Sequence, residues 1–310
     1  MLSRRHIRIK VMQSLYSYFA QKNSDINDIE KSLLKNCDEI VHLGYSIVSL
    51  LYEIIKYADN FYEDAKKKHL PTQHDLNPNK RLIQNKLINN ILSNEDLIDN
   101  ASNFKSIWLE NDHNIISKIF TKIYKSQLYA NYLSSEDKSI KFDKIFLIDL
   151  MNNFILNNDL VNHVLEEKSI YWVDDLPFVA TIIFGNIKED STIRINGPYK
   201  HISDKEFALD LLSKTISNND SYEEIIKSYA KNWDLERIAI MDQIFLKMSF
   251  AEILLMPNLP IKVSMNEYIE ISKYYSTSKS KSFVNGMLDS FVKDYQNKGK
   301  INKLFDESLK

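Results

Sequence analysis

Glycine and proline are both scarce in this chain of 310 residues, with five of the first and six of the second. These residues supply most tight turns, and a sheet-rich fold needs many such turns. Their scarcity therefore argues against a sheet-rich fold and favours long helices. Hydrophobic residues make up 44% and charged residues 26%, which is typical of a globular protein with a substantial core. We predict an all-α fold.

Cysteine is nearly absent, since Cys37 is the only one. A single thiol excludes an intramolecular disulfide and a zinc site built from cysteines. The seven histidines show no spacing typical of metal ligands. Asp174 and Asp175 are the only tempting carboxylate pair, but adjacent residues on a helix or strand point apart, so a solvated turn or helix start is favoured. We expect no catalysis, no metal and no cofactor.

Long apolar runs are also missing. No stretch approaches the ~20 apolar residues of a membrane span, and Glu53 and Lys56 interrupt the best candidate. The basic start of the chain superficially resembles a targeting signal, but Arg8, Lys10 and Gln13 break the apolar run that such a signal needs. We expect a cytoplasmic protein that makes no membrane contact.

Acidic residues are absent from the start of the chain, although the formal net charge is only −2. No Asp or Glu precedes Asp25. The basic residues of that stretch are Arg4, Arg5, Arg8, Lys10 and Lys22. Local fields rather than net charge decide where a polyanion binds. We therefore predict a basic pole at this end of the chain.

Residues 3 to about 22 are predicted to form an amphipathic helix with Ser3 as its N-cap. Its apolar residues have the spacing that lines up one helix face: Ile7, Val11, Leu15 and Tyr18. Arg4, Arg5 and Arg8 are expected on the exposed side, away from that face.

Apolar periodicity predicts further helices along the chain. Residues 26–70 carry a broad apolar stripe, and the proline-containing stretch 66–78 is predicted to be an exposed linker. Several helical patterns follow, but residues 171–187 fit either a buried helix or a strand. In the last third, Ser264 and Glu267 are predicted to form a capping box at the start of a helix.

Two parts of the chain resemble the NusB transcription-antitermination family. SRRHIRIKVMQSLYSY resembles the family's opening, in which arginines at a helix start precede a Gln-x-Leu-Tyr element, here Gln13, Leu15 and Tyr16. Residues 234–254 resemble its central helix. Residues 261–289 resemble its most distinctive stretch, N-E-x-I-E followed by FVNG.

The resemblance covers roughly residues 1–35 and 200–296. It implies NusB-like helical bundles in which residues 1–35 pack with the domain 200–310. Residues 36–199 exceed what a usual member carries, and we predict an additional helical insertion of unknown role there.

The resemblance also implies a function without catalysis. Family members bind a short single-stranded RNA element called boxA together with a small-subunit ribosomal protein, called NusE in this context. With other Nus factors and RNA polymerase they support ribosomal RNA transcription. A helical protein-interaction scaffold in ribosome assembly, with RNA binding secondary, is the alternative.

The candidate site residues follow from this resemblance and from RNA chemistry. Guanidinium groups suit phosphates, and single-stranded bases stack on aromatic or guanidinium surfaces. The candidate RNA-binding residues are Arg4, Arg5, Arg8, Tyr16, Phe283 and Lys281. The candidate partner-binding residues are Asp242 and Tyr16. The arginines would otherwise form a solvated helix face, Tyr16 and Phe283 would belong to the core, and Asp242 would be an exposed helix charge.

One position departs from the family. Lys279 stands where the family often has an acid just before the Ser ahead of FVNG, and Lys281 follows it. This departure weakens the transfer of partner contacts to the loop, although two lysines would extend the basic surface. Asn285 and Gly286 are expected to be structural.

Overall fold

The computed structural model describes residues 2–20, 25–110, 114–230, 237–301 and 303, and these contain helices but no β-strand. The prediction of an all-α fold is confirmed. The helices are α1 (Arg4–Ala20), α2 (Ile26–Lys66), α3 (Gln73–Leu76), α4 (Lys86–Leu92), α5 (Glu95–Ser102), α6 (Ser106–Leu109), α7 (Ile115–Tyr124), α8 (Gln127–Ser134), α9 (Ile140–Met151) with a following π-helical turn (Asn152–Leu156), α10 (Asp159–Lys168), α11 (Trp172–Asp190), α12 (Ile202–Ser217), α13 (Asn219–Tyr229), α14 (Ile240–Leu255), α15 (Ile261–Tyr275) and α16 (Ser280–Asn297).

The chain divides into two compact units. The terminal unit consists of residues 1–37 and 199–310, and the central unit consists of residues 38–198. The divisions fall close to the predicted ones at 35/36 and 199/200. Helix α2 begins in the terminal unit and continues into the central unit.

The terminal unit is built around α14. This helix packs against α1, α12, α13, α15 and α16. Most of its residues are buried, on every side of the helix, as expected for a helix that is surrounded by others. The fully buried members include Phe245, Leu246, Met248, Phe250 and Ala251. The stretch 234–254, which resembles the family's central helix, therefore forms most of the core helix, although residues 234–236 lie outside the described part.

Helix α1 packs against α12 and α14. The Ser3 hydroxyl accepts a hydrogen bond from the His6 amide at 3.4 Å, which supports the predicted N-cap. The predicted apolar residues Ile7, Val11 and Leu15 are fully buried. The buried face is wider than its apolar residues alone, because it also includes polar side chains.

The predicted capping box at Ser264 and Glu267 is wrong. Helix α15 begins at Ile261, immediately after Pro260, so Ser264 lies inside the helix and is fully buried. Its hydroxyl donates to Glu252 on α14 at 2.7 Å. Both side chains of the predicted motif instead bind residues on other helices: Ser264 binds Glu252, and Glu267 binds Arg5.

The described residues of the central unit form helices joined by loops, with no strand. The ambiguous segment 171–187 forms part of α11, so the helical interpretation is confirmed. The predicted linker 66–78 contains the short helix α3, which a capping box between Thr72 and Asp75 starts. The indole of Trp108 is buried and donates to the Ser46 carbonyl at 2.9 Å, which helps to anchor α6 on α2.

No single helix within the described residues has the length and apolar composition to cross a membrane. Helices α10 and α11 satisfy those two criteria only when taken together, and they are bent by 119° at the break between them.

Candidate RNA-binding surface on helix α1

A buried ion pair fixes α1 to the core of the terminal unit. Arg8 donates to both carboxylate oxygens of Glu252 on α14, Nε to Oε1 at 2.6 Å and Nη2 to Oε2 at 2.9 Å. Glu252 also accepts from the hydroxyls of Ser264 at 2.7 Å and Tyr268 at 2.5 Å. Arg8 is 2% exposed and Glu252 is fully buried. The expected exposure of Arg8 is therefore wrong, because its guanidinium is needed to neutralise a buried carboxylate.

Each residue of this pair stabilises the charged form of the other. Burial lowers the pKa of Arg8, but the hydrogen bonds and charge of Glu252 outweigh burial and raise that pKa overall. Burial also raises the pKa of Tyr268 well above its ordinary value, so its hydroxyl stays a donor to Glu252. Arg8 thus orients α1 and has no surface on which to meet an RNA phosphate.

Arg4 and Arg5 are the exposed arginines of α1. The side chain of Arg5 is 48% exposed and donates to both carboxylate oxygens of Glu267, at 2.7 and 2.8 Å. The side chain of Arg4 is 45% exposed, with a 3.5 Å contact to Asp204 and its guanidinium 5.2 Å from the Phe207 ring centroid. Both guanidinium groups are open to solvent on one side, as a phosphate-binding group must be.

The remaining basic residues of this stretch do not enlarge the surface. Lys10 is buried and its Nζ donates to the Asn36 side chain at 2.7 Å. Asn36 in turn donates to Gln13 at 3.0 Å. Lys22 lies outside the described residues. The predicted basic pole therefore narrows to Arg4 and Arg5, each of which faces a carboxylate.

Tyr16 lies on the same side of α1 as Arg5. The two residues are eleven apart, so they are nearly aligned on the helix and about 16 Å apart along its axis. The Tyr16 side chain is 47% exposed. The alternative interpretation of Tyr16 as a core residue is wrong. We call Arg4, Arg5 and Tyr16 the α1 surface.

Two further candidate residues, Lys281 and Phe283, lie at the start of α16. Lys281 is exposed and Phe283 is half-buried, both in the first turn of α16. Helix α16 packs against α13, α14 and α15, whereas α1 packs against α12 and α14. Phe283 lines the same cavity as Asp242. Lys281 instead lies near Glu270 on α15, a carboxylate on which the charge of Arg5 also acts.

Asp242 is buried rather than an exposed helix charge. Its carboxylate is 5% exposed, and its Oδ2 accepts from the Ser280 hydroxyl at 2.8 Å. Its Oδ1 has no hydrogen-bond partner among the residues that the structure describes. Asp242, Phe283 and Lys279 line one cavity of about 190 Å³. We call this the Asp242 pocket.

The sequence did not identify the carboxylates that oppose the arginines. Glu252, Glu267 and Asp204 come from three different helices and lie about 200 residues or more along the chain from their partners. The only available signal was Glu252 itself, a single acid in an otherwise apolar stretch of the core helix. A buried acid of that kind requires a cation.

The His6 side chain beside this surface makes stability depend on pH. Burial, together with the charges of Arg5 and Lys10, lowers the pKa of His6 to about 4. Between pH about 6.5 and about 4 the unfolded chain binds a proton that the folded chain does not, so stability falls as the pH drops through that window.

We expect His6→Gln to remove about 1 to 2 kcal/mol of this pH dependence, since solvent screens part of the full effect. Urea unfolding of both proteins at pH 7 and pH 4.5 measures it. An equal loss of stability in the two proteins would show that His6 is not the titrating group.

Comparison with known proteins gives one consistent family. The family model for the NusB family matches residues 184–293. That range includes α12–α16 and starts within α11, so it does not cover α1. Helix α1 is linked to the matched region because it packs against α12 and α14, which both lie within that region.

Curated relatives agree with the family match. The transcription antitermination protein NusB of Salinibacter ruber is 41% identical over 101 residues, which are 33% of this chain and 63% of that protein. The NusB of Chloroherpeton thalassium is 40% identical over 102 residues, 33% of this chain and 48% of that protein. The NusB of Methylacidiphilum infernorum is 45% identical over 91 residues, 29% of this chain and 64% of that protein.

In each case the chain matches less than two thirds of the relative's length. No solved structure matches the chain. Most of the family match lies in the terminal unit, where it includes α14 and the helices α12, α13, α15 and α16 that pack against it. Residues 184–293 are thus similar to the NusB family, and this similarity covers about a third of the chain.

Proposed function

We propose that this chain is a cytoplasmic transcription antitermination factor without catalysis. It binds boxA-type single-stranded RNA together with the small-subunit ribosomal protein NusE, and with other Nus factors and RNA polymerase it supports ribosomal RNA transcription. The observation that carries the proposal is the pair of half-exposed arginines, Arg4 and Arg5, on a helix anchored to a NusB-family core.

The α1 surface has the chemistry that single-stranded RNA requires. Phosphates supply most of the affinity of such complexes, and the planar guanidinium of Arg4 or Arg5 binds a phosphate in bidentate fashion. Both residues lie in the first turn of α1, where the helix dipole adds positive potential. Tyr16 offers an exposed ring on which a base stacks further along the helix.

The carboxylates beside the arginines set the strength of this binding. The hydrogen bonds from Arg5 lower the pKa of Glu267, so Glu267 is charged at neutral pH and opposes a phosphate. An RNA phosphate must replace Glu267 on the guanidinium of Arg5 or share that guanidinium with it.

We therefore expect Glu267→Gln to strengthen RNA binding about three- to tenfold, since an amide holds Arg5 less tightly and does not repel phosphate. Fluorescence anisotropy with a labelled boxA RNA measures the change. The matched control is Glu270→Gln, which removes the same charge three residues away on α15, where the carboxylate pairs with Lys273 and acts on Arg5 only through its charge. Equal gains in the two variants would show that Glu267 acts only through general electrostatics.

The Asp242 pocket is the proposed partner surface. A buried carboxylate with one unsatisfied oxygen is costly, and a donor from a bound protein would satisfy it. Phe283 supplies an apolar wall to the same cavity. Lys279 makes its rim basic, so the partner chain is expected to place acidic or neutral groups there rather than cations.

Asp242→Asn is expected to weaken binding of the ribosomal protein at least tenfold and to leave RNA binding by the chain alone unchanged, because it removes only the buried acceptor charge. Surface plasmon resonance with immobilised ribosomal protein measures the first effect. Asp289→Asn on α16, outside the pocket lining, serves as the control. Unaltered binding of the ribosomal protein by Asp242→Asn would rule out this surface.

The function as a whole is tested by titrating labelled boxA RNA with the full chain, with and without the ribosomal protein. We expect tighter binding of boxA RNA than of a scrambled sequence, and a further gain when the ribosomal protein is present. Binding of the ribosomal protein combined with equal affinity for both RNAs would favour the scaffold function instead.

A further inference from the structure

The central unit contains a polar cavity of about 520 Å³ that the proposed function does not use. It lies between the segment that precedes α4, the C-terminal end of α8 and the first turns of α9. Its volume falls within the range of about 300–1,000 Å³ that is usual for small-molecule sites. Buried polar side chains line its inner part and exposed lysines line its rim.

The inner part of the cavity is a short hydrogen-bonded chain. Asn85 donates from its amide to the Tyr132 hydroxyl at 2.7 Å, and the Tyr132 hydroxyl donates to Asp143 Oδ1 at 2.9 Å. The Asn85 carbonyl accepts from the backbone of Ile88. Asn85, Tyr132 and Asp143 are all buried, Asp143 with 9% of its side chain exposed. This chain fixes the direction of the Asp143 carboxylate.

The hydrogen bonding of the Asp143 carboxylate is incomplete within the described part of the central unit. Its second carboxylate oxygen receives no hydrogen bond from a described residue of the central unit, and it is open to solvent at the cavity rather than sealed in the interior. A carboxylate that is nine-tenths buried normally has several donors or a cation. A ligand that brings N–H donors into the cavity would complete it.

The rim of the cavity is positive. Lys86 and Lys138 are exposed, line the cavity and form no ion pair with a described residue. Arg81 covers the Tyr132 ring at 4.2 Å and donates to the carbonyls of Tyr132, Ser135 and Asp137 at the end of α8. These cations repel a metal ion from Asp143, and they attract an anionic group.

We propose that this cavity binds a nucleotide, with the N–H groups of its base on Asp143 and its phosphate on Lys86 and Lys138. Guanine is the base that fits best, because its Watson–Crick edge carries two neighbouring N–H donors for the two oxygens of one carboxylate. Asp143 Oδ1 retains an accepting lone pair beside the Tyr132 hydroxyl. The nucleotide is either free in solution or one unit of a single-stranded RNA.

The test is calorimetric titration of the full chain with guanosine 5′-monophosphate, uridine 5′-monophosphate, the trinucleotide UGU and inorganic phosphate. We expect the guanosine nucleotide or UGU to bind at least tenfold more tightly than uridine monophosphate and phosphate. Tighter binding of the mononucleotide identifies a free nucleotide as the ligand, and tighter binding of UGU identifies RNA. Binding of neither, or equal binding of phosphate alone, overturns the proposal.

Two variants locate the site. Asp143→Asn is expected to weaken binding of the preferred ligand at least tenfold, and Lys86→Gln with Lys138→Gln is expected to weaken it about tenfold without affecting the fold, since both lysines are exposed. Lys122→Gln, an exposed position on α7 outside the cavity lining, is the control. Unchanged affinity in the lysine double variant would exclude this cavity even if Asp143→Asn fails to fold.

This site lies within the central unit, and its test does not depend on the α1 surface. The variant that combines Arg4→Ala with Arg5→Ala is expected to lose boxA binding and still to bind the nucleotide. Failure of one proposal is therefore distinguishable from failure of the other.

Discussion

Arg8→Ala is expected to lower the free energy of unfolding by about 3 to 5 kcal/mol, because it leaves Glu252 charged and buried without its cation. The hydroxyls of Ser264 and Tyr268 still donate to Glu252, but they carry no charge. Urea denaturation followed by circular dichroism measures the loss. It is a large fraction of the stability of an ordinary domain.

A double-mutant cycle separates a lost ion pair from lost packing. Arg8→Met combined with Glu252→Leu removes both charges, and we expect it to be less destabilising than Arg8→Met alone. Arg5→Ala serves as the surface control and should cost less than about 1 kcal/mol, since Arg5 and Glu267 form an exposed pair. Additive losses in the double variant would contradict the role assigned to the buried pair.

Arg4→Ala combined with Arg5→Ala is expected to weaken boxA RNA binding about ten- to hundredfold at about 0.1 M salt, because two phosphate contacts are lost. The slope of log affinity against log salt concentration should fall by about 1.4, at ~0.7 for each contact with single-stranded RNA. Stability should change little, since both side chains are half-exposed. Fluorescence anisotropy at several salt concentrations measures both quantities.

The matched control removes two positive charges elsewhere on the terminal unit. Lys227 and Lys293 are exposed on α13 and α16, and Lys227→Ala with Lys293→Ala changes the net charge by the same amount. We expect this control to lower affinity less than threefold. Equal weakening by the two double variants would mean that RNA senses only the overall charge.

Local periodicity was sufficient to predict the helices that build the terminal unit. The spacing of Ile7, Val11 and Leu15 identified the buried face of α1, and these three residues are fully buried. The resemblance of residues 234–254 to the family's central helix likewise indicated the core helix α14. These predictions hold because a helix that must bury one face carries that face in its own sequence.

The role of Arg8 could not be predicted in the same way. Arg8 borders the apolar face of α1, and its burial depends on Glu252, which is 244 positions away. Spacing within one helix cannot reveal a partner on another. The same limit applies to Ser264 and Glu267, whose local motif is that of a capping box but whose side chains bind Glu252 and Arg5 instead.

The sequence predicted which residues belong to the candidate site better than it predicted how they are arranged in space. Arg4, Arg5 and Tyr16 lie exposed on one helix, whereas Asp242 and Phe283 meet in a pocket that no sequence pattern indicated. The pocket forms because Ser280 at the start of α16 bonds Asp242 near the start of α14. Such a contact depends on how two distant helices pack, and each helix alone gives no sign of it.

Photo-crosslinking tests most directly whether the exposed face of α1 binds RNA while its buried side holds the core. Thiouridine-labelled boxA RNA would be irradiated with the full chain, and the crosslinked peptides would be identified by mass spectrometry. We predict crosslinks within residues 4–16, lost in the Arg4→Ala and Arg5→Ala double variant. Crosslinks confined to residues 38–198 would contradict RNA binding by α1.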